Sequence, residues 1–386
     1  MASRRLPPDT EQNALNIRLQ SLRAAGVQIL DLTESNPTRA GIAYPQELLA
    51  GLADQRGLCY EPHPLGLESA RTAVAAEYER RGLRVDPRCI VLTASTSEAY
   101  SWLFKLLCDP GDAVLVPQPS YPLFEHLTRL DGVRTQSYEL EYHHRWEIDF
   151  GAIRSAAPET RALLVVSPNN PTGSYICSRE LAQLAAICEE RQWAIIVDEV
   201  FVDYPLDESS PLTDIALRTD GLCFTLGGLS KSCGLPQLKL GWIVTGGEPS
   251  RRASAMAALE LIADSYLSVN TPVQLALGSI FASGSDIRVA IQERIRRNLN
   301  AARQIVQQFK ACEVLRTEGG WSAVIRVPAT RTEEDLALTL LEREHILIHP
   351  GYFFDFPREA YLVASLLPEP EIFTDGMTRV LRVAGC

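Results

Sequence analysis

The stretch "GGLSKSCGLPQLKLGW" (residues 227–242) is the most informative part of the sequence, because it contains two lysines in a segment rich in glycine and serine. The chain has only four lysines among its 37 basic residues. An amine, unlike a guanidinium, can lose its proton and attack a carbonyl. Lys231 is therefore a candidate nucleophile, although a lysine in such a loop is also commonly a solvated surface residue.

Short apolar runs alternate with helical patterns on both sides of this stretch. Nearly continuous apolar runs of this length are typical of strands buried on both faces of a sheet. Helical patterns over 97–109 and 178–192 lie between them, which predicts a largely parallel sheet covered by helices. The predicted strands lie at 89–94, 113–117, 162–167, 194–199, 222–226 and 241–246.

The pattern changes after about residue 251. Residues 287–311 predict a long helix, and 322–328 and 346–351 predict strands of a smaller α+β domain. We therefore expect three parts along the chain, which are an N-terminal segment (1–40) that docks on the small domain, a large domain (41–275) and a small C-terminal domain (276–386).

Composition excludes several classes of protein. The 386 residues carry a net charge of -11 without a basic stripe, which argues against nucleic acid as a partner. No apolar run approaches the roughly 20 residues that span a bilayer, so no membrane partner is expected. The nine cysteines form no CxxC pair, and no signal peptide is evident, so we expect free thiols in the cytoplasm.

Polar residues follow the predicted strands. In open parallel sheets, ligands bind beyond the carboxyl ends of the strands. Ser95, Thr96 and Ser97 open a helix, which is typical of an anion site and also of an ordinary helix cap. "PNNPTG" (168–173) is compatible with a simple turn. Asp198 ends an apolar strand, where a carboxylate is costly unless it is paired or functional.

Together with Lys231, these residues resemble the pyridoxal-phosphate enzymes of the class I/II aminotransferase family, which have fold type I. The resemblance covers nearly the whole chain. It implies a large domain with a mostly parallel sheet sandwiched by helices, a smaller α+β domain, a pyridoxal 5'-phosphate cofactor and a homodimer with shared active sites.

The resemblance also implies a role for individual residues. Lys231 matches the lysine that binds the cofactor as a Schiff base and carries the substrate proton. Asp198 matches the aspartate that pairs with the pyridinium nitrogen of the cofactor. Asn170 matches the asparagine that hydrogen-bonds to its phenolic oxygen, and Tyr121 matches the aromatic residue that stacks on its ring. The matching phosphate-binding positions are Ser95, Thr96, Ser97, Ser230, Lys239 (where the family usually has arginine) and Tyr60, which reaches across the dimer interface.

Two positions depart from the family pattern. Phe201 replaces a tyrosine that often donates to the phenolic oxygen. Val363, in "AYLVASLL" (360–367), replaces the arginine that binds the substrate α-carboxylate. Arg39 and Arg358 are the candidate replacements, and both are also compatible with surface arginines. The resemblance places Ser35 near that carboxylate.

The implied activity is transfer of an amino group between an amino acid and a 2-oxo acid, in a cytoplasmic enzyme of amino acid metabolism and biosynthesis. The aromatic loop at 349–356 favours a neutral or apolar substrate side chain, unless it only packs in the core. A C–S lyase or an amino-acid oxidase on the same scaffold, and a regulator that binds the cofactor without catalysis, are the alternatives. A nicotinamide dehydrogenase is disfavoured because no GxGxxG follows a strand, and no histidine spacing supports a metal site.

Overall fold

The apolar runs of the sequence form a central sheet in the computed structural model, which describes residues 3–7, 12–207 and 220–385. The strands are β1 (Leu30–Asp31), β2 (Ile90–Thr93), β3 (Ala113–Gln118), β4 (Arg134–Tyr142), β5 (Trp146–Ile148), β6 (Thr160–Val166), β7 (Ala194–Asp198), β8 (Cys223–Gly228), β9 (Gly241–Gly246), β10 (Glu313–Val314), β11 (Ser322–Arg326), β12 (Ile346–Leu347), β13 (His349–Pro350) and β14 (Tyr361–Ser365).

Helices cover this sheet and build most of the rest of the described chain. The α-helices are α1 (Ala14–Ala24), α2 (Glu68–Arg80), α3 (Thr96–Leu107), α4 (Phe124–Leu130), α5 (Phe150–Arg154), α6 (Ser178–Arg191), α7 (Leu229–Ser232), α8 (Pro249–Tyr266), α9 (Thr271–Val306), α10 (Glu333–Thr339) and α11 (Pro370–Ala384). Short 3-10 turns span Gln46–Ala53, Gln55–Leu58, Pro87–Cys89, Pro236–Leu238 and Gly351–Phe354, and a π-turn spans Leu340–Glu344.

The central sheet has the strand order β2-β9-β8-β7-β6-β3-β4-β5. Strands β8, β7, β6, β3 and β4 are mutually parallel, whereas β9 runs antiparallel to both β2 and β8, and β5 runs antiparallel to β4. All residues of β2, β7, β8 and β9 are buried. The predicted mostly parallel sheet with both faces covered is confirmed.

Alternation along the strands explains why helices pack on both faces. In β6, Ala162 and Leu164 point into the cluster formed with α3 and α8, and Leu163 and Val165 point into the cluster formed with α6. Strands β4 and β5 were not predicted. The burial of β4 alternates with exposure near one edge of the sheet, so it lacks a continuous apolar run.

A second, antiparallel sheet follows the long helix α9, with the strand order β10-β11-β14-β13. Helix α9 has 36 residues and therefore spans about 54 Å. It begins 16 residues before the helix predicted at 287–311, so the predicted domain boundary at 275/276 falls inside it. Among the described residues, no helix is long and apolar enough to cross a membrane.

The N-terminal segment packs beside this second sheet. Strand β1 pairs in parallel with β12, and Leu15, Leu19 and Leu22 of α1 are buried against residues that include Ala337 and Leu341. Cys59, Cys89, Cys108, Cys177, Cys188, Cys233 and Cys312 are free thiols.

Candidate active site

A cavity of about 320 Å³ lies beyond the carboxyl ends of the parallel strands. Because β2 and β8 both run antiparallel to β9, the loops after β2, β3, β6, β7 and β8 all open at the same edge of the sheet. The cavity is lined by nine of the residues predicted for the site, which are Ser35, Ser95, Thr96, Ser97, Tyr121, Asn170, Asp198, Ser230 and Lys231.

Asp198 is a buried carboxylate at the end of β7, with 7% of its surface exposed. Its Oδ2 accepts a hydrogen bond from the Tyr100 hydroxyl (2.6 Å), and its Oδ1 accepts one from the Val200 backbone N–H (3.0 Å). Burial raises the pKa of Asp198, and the two hydrogen bonds and the positive charge of Lys231 oppose that shift. The carboxylate is therefore well placed to pair with a cationic group in the cavity.

Lys231 follows β8 on the short helix α7. Its Nζ lies 4.8 Å from the ring centroid of Trp321 and 5.4 Å from that of Phe201, and it makes no hydrogen bond or ion pair within the described part of the chain. Burial lowers the pKa of Lys231 to about 8, and the Asp198 carboxylate opposes the shift. A larger share of this amine is thus neutral, and nucleophilic, than of an ordinary lysine.

The hydroxyl-rich segment after β2 forms the start of α3. Ser95 is the N-cap, and its Oγ accepts a hydrogen bond from the Glu98 N–H (3.2 Å). A Cβ at Gly241 would lie 3.1 Å from the Ser95 carbonyl carbon and 3.1 Å from Thr93 Oγ1. Glycine at this position therefore lets β9 pass close beneath the segment that carries Thr96 and the other cavity hydroxyls.

Asn169, next to the predicted Asn170, joins two loops of the site. Its Nδ2 donates to the Pro119 carbonyl (3.0 Å) and to Thr172 Oγ1 (2.9 Å), and its Oδ1 accepts from Ser120 Oγ (2.9 Å). These bonds hold the loop of Tyr121 against the turn of Asn170. Sequence analysis assigned a role to Asn170 and gave none to Asn169.

Four predicted site residues do not line this cavity. Lys239 and Arg39 are exposed, and Arg358 is exposed and borders a separate cavity together with Arg326 and other residues. Tyr60 is 75% exposed and borders a small pocket outside the site. Among the described residues, no arginine lines the main cavity, so neither arginine takes the position left by Val363 within one chain.

Comparison with known proteins identifies the family. The model for the aminotransferase class I and II family matches residues 28–364. The chain belongs to this family. Members use pyridoxal phosphate to transfer amino groups, and Lys231, Asp198 and Asn170 of this aminotransferase line one cavity.

Its relatives include glutamate-pyruvate and alanine aminotransferases. The aminotransferase is 27% identical to the glutamate-pyruvate aminotransferase AlaA of Escherichia coli over 90% of its own length and 88% of that protein. It is 28% identical to the alanine aminotransferase of Mycobacterium tuberculosis over 90% of its own length and 83% of that protein. The solved alanine aminotransferase of Pyrococcus furiosus has the same fold, with a TM-score of 0.88, 24% identity and 99% of both chains covered.

Sequence analysis gave no role to several residues that line the cavity, Tyr100 and Trp321 among them. Tyr100 lies four residues after Thr96 on α3, and this spacing places both on one helix face, which is a usable signal. Trp321 precedes β11, and no local pattern indicates that it faces the large domain. His349 begins the aromatic loop at 349–356, which sequence analysis related to the substrate without singling out the histidine.

Proposed function

We propose that this aminotransferase exchanges an amino group between an amino acid with a neutral or apolar side chain and a 2-oxo acid, with pyridoxal 5'-phosphate bound at Lys231. The observation that supports it best is the pairing, in one cavity, of an unbonded amine of lowered pKa with a buried carboxylate.

The residues of the cavity fit this cofactor. Its aldehyde requires a free amine, and Lys231 Nζ has no hydrogen-bond partner among the described residues. Its pyridinium nitrogen requires an anion, which Asp198 supplies, and its phosphate suits the hydroxyls at the start of α3, with Ser230 nearby. Asn170 and Tyr121 line the same space and would contact the ring. When bound, the cofactor supplies an electron sink for breaking the Cα–H bond.

Lys231 moves the proton in this proposal. Freed by the substrate amine, its Nζ would take the proton from the substrate Cα and deliver it to C4′ of the cofactor. Burial favours this role, because it lowers the pKa of Lys231 to about 8 and brings it near working pH. Asp198 holds a positive charge on the cofactor, and that charge in turn keeps the carboxylate ionised against the cost of burial.

The walls of the cavity support the choice of substrate. Phe201, Trp321, Phe354 and Val363 contribute apolar surface, and the described lining contains no arginine that could pair with a second carboxylate on a side chain. Because its relatives include glutamate-pyruvate and alanine aminotransferases, alanine and, as the 2-oxo acid, pyruvate are the first substrates to examine.

We further propose that the enzyme is a homodimer in the cytoplasm. Leu58, Cys59 and Tyr60 form an exposed segment in the single chain, with Leu58 at 84% and Tyr60 at 75% exposure. A second copy would cover this apolar surface, and Tyr60 and Lys239 would act at the phosphate in the assembled dimer. Sedimentation should give a mass of about 85 kDa, twice the 42.7 kDa of the chain.

Covalent trapping of the cofactor tests the proposed function. Borohydride reduction of the protein loaded with pyridoxal phosphate should attach the cofactor to Lys231, and Lys231→Ala should abolish the attachment. A panel of single amino acids should then yield stoichiometric 2-oxo acid. An adduct at another lysine would refute the site, and release of ammonia with pyruvate would show elimination instead of amino transfer.

A further inference from the structure

His349 lies directly beside Val363, the residue at the position of the family's carboxylate-binding arginine. The two are cross-strand partners in the antiparallel pair of β13 and β14. Directly opposed residues share a face of the sheet, with Cβ atoms about 5 Å apart. Both side chains line the main cavity. The imidazole is therefore the polar group nearest to the missing guanidinium along this strand pair.

The imidazole has no hydrogen-bond partner in the described part of the chain. Its Nδ1 is buried without one, and the ring packs edge-on against Phe353 and Phe354, with centroids 5.7 Å away in both cases. A buried polar atom without a partner is uncommon and costs free energy unless a ligand or water satisfies the side chain.

The neighbouring hydroxyls are already committed to protein acceptors. Ser365 Oγ donates to the Glu34 carbonyl (2.6 Å), and Thr33 Oγ1 donates to Asp31 Oδ1 (2.6 Å). Ser322 Oγ donates to Asn170 Oδ1 (3.3 Å). Ser35 is exposed to solvent and cannot acquire a charge. Of the described residues on this side of the cavity, only His349 can both donate a hydrogen bond and become a cation.

We propose that His349 binds the substrate carboxylate in place of the arginine, and that the imidazole takes up a proton from solvent as the carboxylate arrives. The proposal rests on the proposed function, since it assigns the anchor of the same substrate. It defines the substrate class as amino acids and 2-oxo acids whose carboxylate is held by a titrating group instead of a permanent cation.

The charges around His349 set the direction of the pH dependence. Burial lowers the pKa of His349 to about 4, and Asp31 on the neighbouring β1 opposes this shift. Glu333 of α10 is bound to the backbone N–H groups of Tyr352 and Tyr361, and Lys231 and Asp198 also line the cavity. A carboxylate at about 4–6 Å raises an imidazole pKa by about one to three. Affinity for a carboxylate should therefore fall as pH rises from about 5.5 to 7.5.

The test uses the holoenzyme and two probes without an amino group, 3-phenylpropanoate and its uncharged amide. Calorimetry in buffers of different ionisation enthalpy should show proton uptake when the acid binds and none when the amide binds. The affinity of the acid should fall about 4-fold to 25-fold between pH 5.5 and 7.5 for an imidazole pKa raised by about two to three on binding. The amide should show no such fall.

Two variants test whether His349, and not another group, causes the pH-dependent binding of the acid. His349→Asn should weaken binding of the acid about tenfold or more at pH 5.5, remove the proton uptake and leave the amide within about threefold. Val363→Arg should strengthen binding of the acid and make it independent of pH, because a guanidinium stays charged. In proton NMR, the resonance missing from His349→Asn should titrate at higher pH when the acid is bound.

The proposal is overturned if His349→Asn binds the acid with wild-type affinity and pH dependence. It is also overturned if the wild type takes up no proton. Neither result affects the covalent trapping at Lys231, so failure of this inference is distinguishable from failure of the proposed function.

Discussion

Replacing Lys231 with methionine should stabilise the cofactor-free protein, because the substitution removes a buried amine and keeps a side chain of similar length. Folding lowers the pKa of Lys231 from 10.5 to about 8. At about 1.4 kcal/mol for each pKa unit, this amounts to about 3 kcal/mol at neutral pH. The attraction of Asp198 is already included in this shift, and water in the cavity screens part of the remaining cost. We therefore expect a net gain of about 2 kcal/mol at pH 7.

The pH dependence of stability that Lys231 causes is opposite to that of a lysine in an ion pair. Since the unfolded chain binds the proton more tightly, the wild-type protein gains stability as pH rises from about 8 to 10.5. The gain in free energy of unfolding from Lys231→Met is thus complete below about pH 8, and it should shrink by more than half by pH 9.5. Tyrosines and cysteines that titrate in the same range are common to both proteins and cancel in the difference.

Urea denaturation of both proteins at pH 7, 8, 9 and 9.5, after removal of the cofactor, measures this difference. Lys310→Met is the matched control, because Lys310 is exposed, and it should change stability by less than about 0.5 kcal/mol at every pH. The inference that Lys231 is a buried amine without a hydrogen-bond partner would be refuted if the Lys231→Met protein were less stable than the wild type at pH 7 by an amount that does not depend on pH.

Three further substitutions probe the site. Tyr100→Phe removes a hydrogen bond that lowers the pKa of Asp198, so the acid limb of the kcat/KM profile should move up by about one pH unit, and an unchanged limb would contradict this role. Phe201→Tyr restores a phenolic donor and should lower, by about one unit, the pH at which the absorbance of the bound cofactor changes; no change would show that the new hydroxyl does not reach the cofactor. Gly173→Ala places a Cβ 2.5 Å from the Gly319 carbonyl oxygen at a φ of +70°, so thermal denaturation should show a loss of about 2–3 kcal/mol. Gly82→Ala, with a φ of +81° and no atom within 4 Å, should cost only about 1 kcal/mol, and equal losses would argue against the clash.

The sequence predicted the parts of the site that depend on local order along the chain. Asp198 and Lys231 follow buried strands, and parallel strands end at one edge, so their convergence follows from topology. Strand β4 was not predicted because it lies near the edge of the sheet and is buried mainly on one face. Its residues therefore alternate between buried and exposed and form no continuous apolar run. The start of α9 also escaped prediction, since its first turns have no distinct polar face.

Residues that reach the site from the second sheet could not be predicted in the same way. Trp321 approaches the cavity through packing between distant parts of the chain, and no spacing in the sequence encodes that contact. The loop at 349–356 was related to the substrate through the resemblance alone, which did not single out His349. For the same reason, the resemblance suggested Arg39 and Arg358 as substitutes for the missing arginine, although both side chains are exposed and lie outside the cavity.

The position of β9 in the sheet has a consequence for how the chain folds as it is synthesised. Within the described part of the chain, strand β2 pairs only with β9, about 150 residues later, and β9 also pairs with β8. Contacts between such distant segments form slowly. The hydroxyls after β2 cannot meet Lys231 until β9 has left the ribosome and entered the sheet. A nascent chain that stops before residue 241 would therefore expose two unpaired strand edges and lack a complete phosphate site, so cofactor capture should mark the moment at which the large sheet closes.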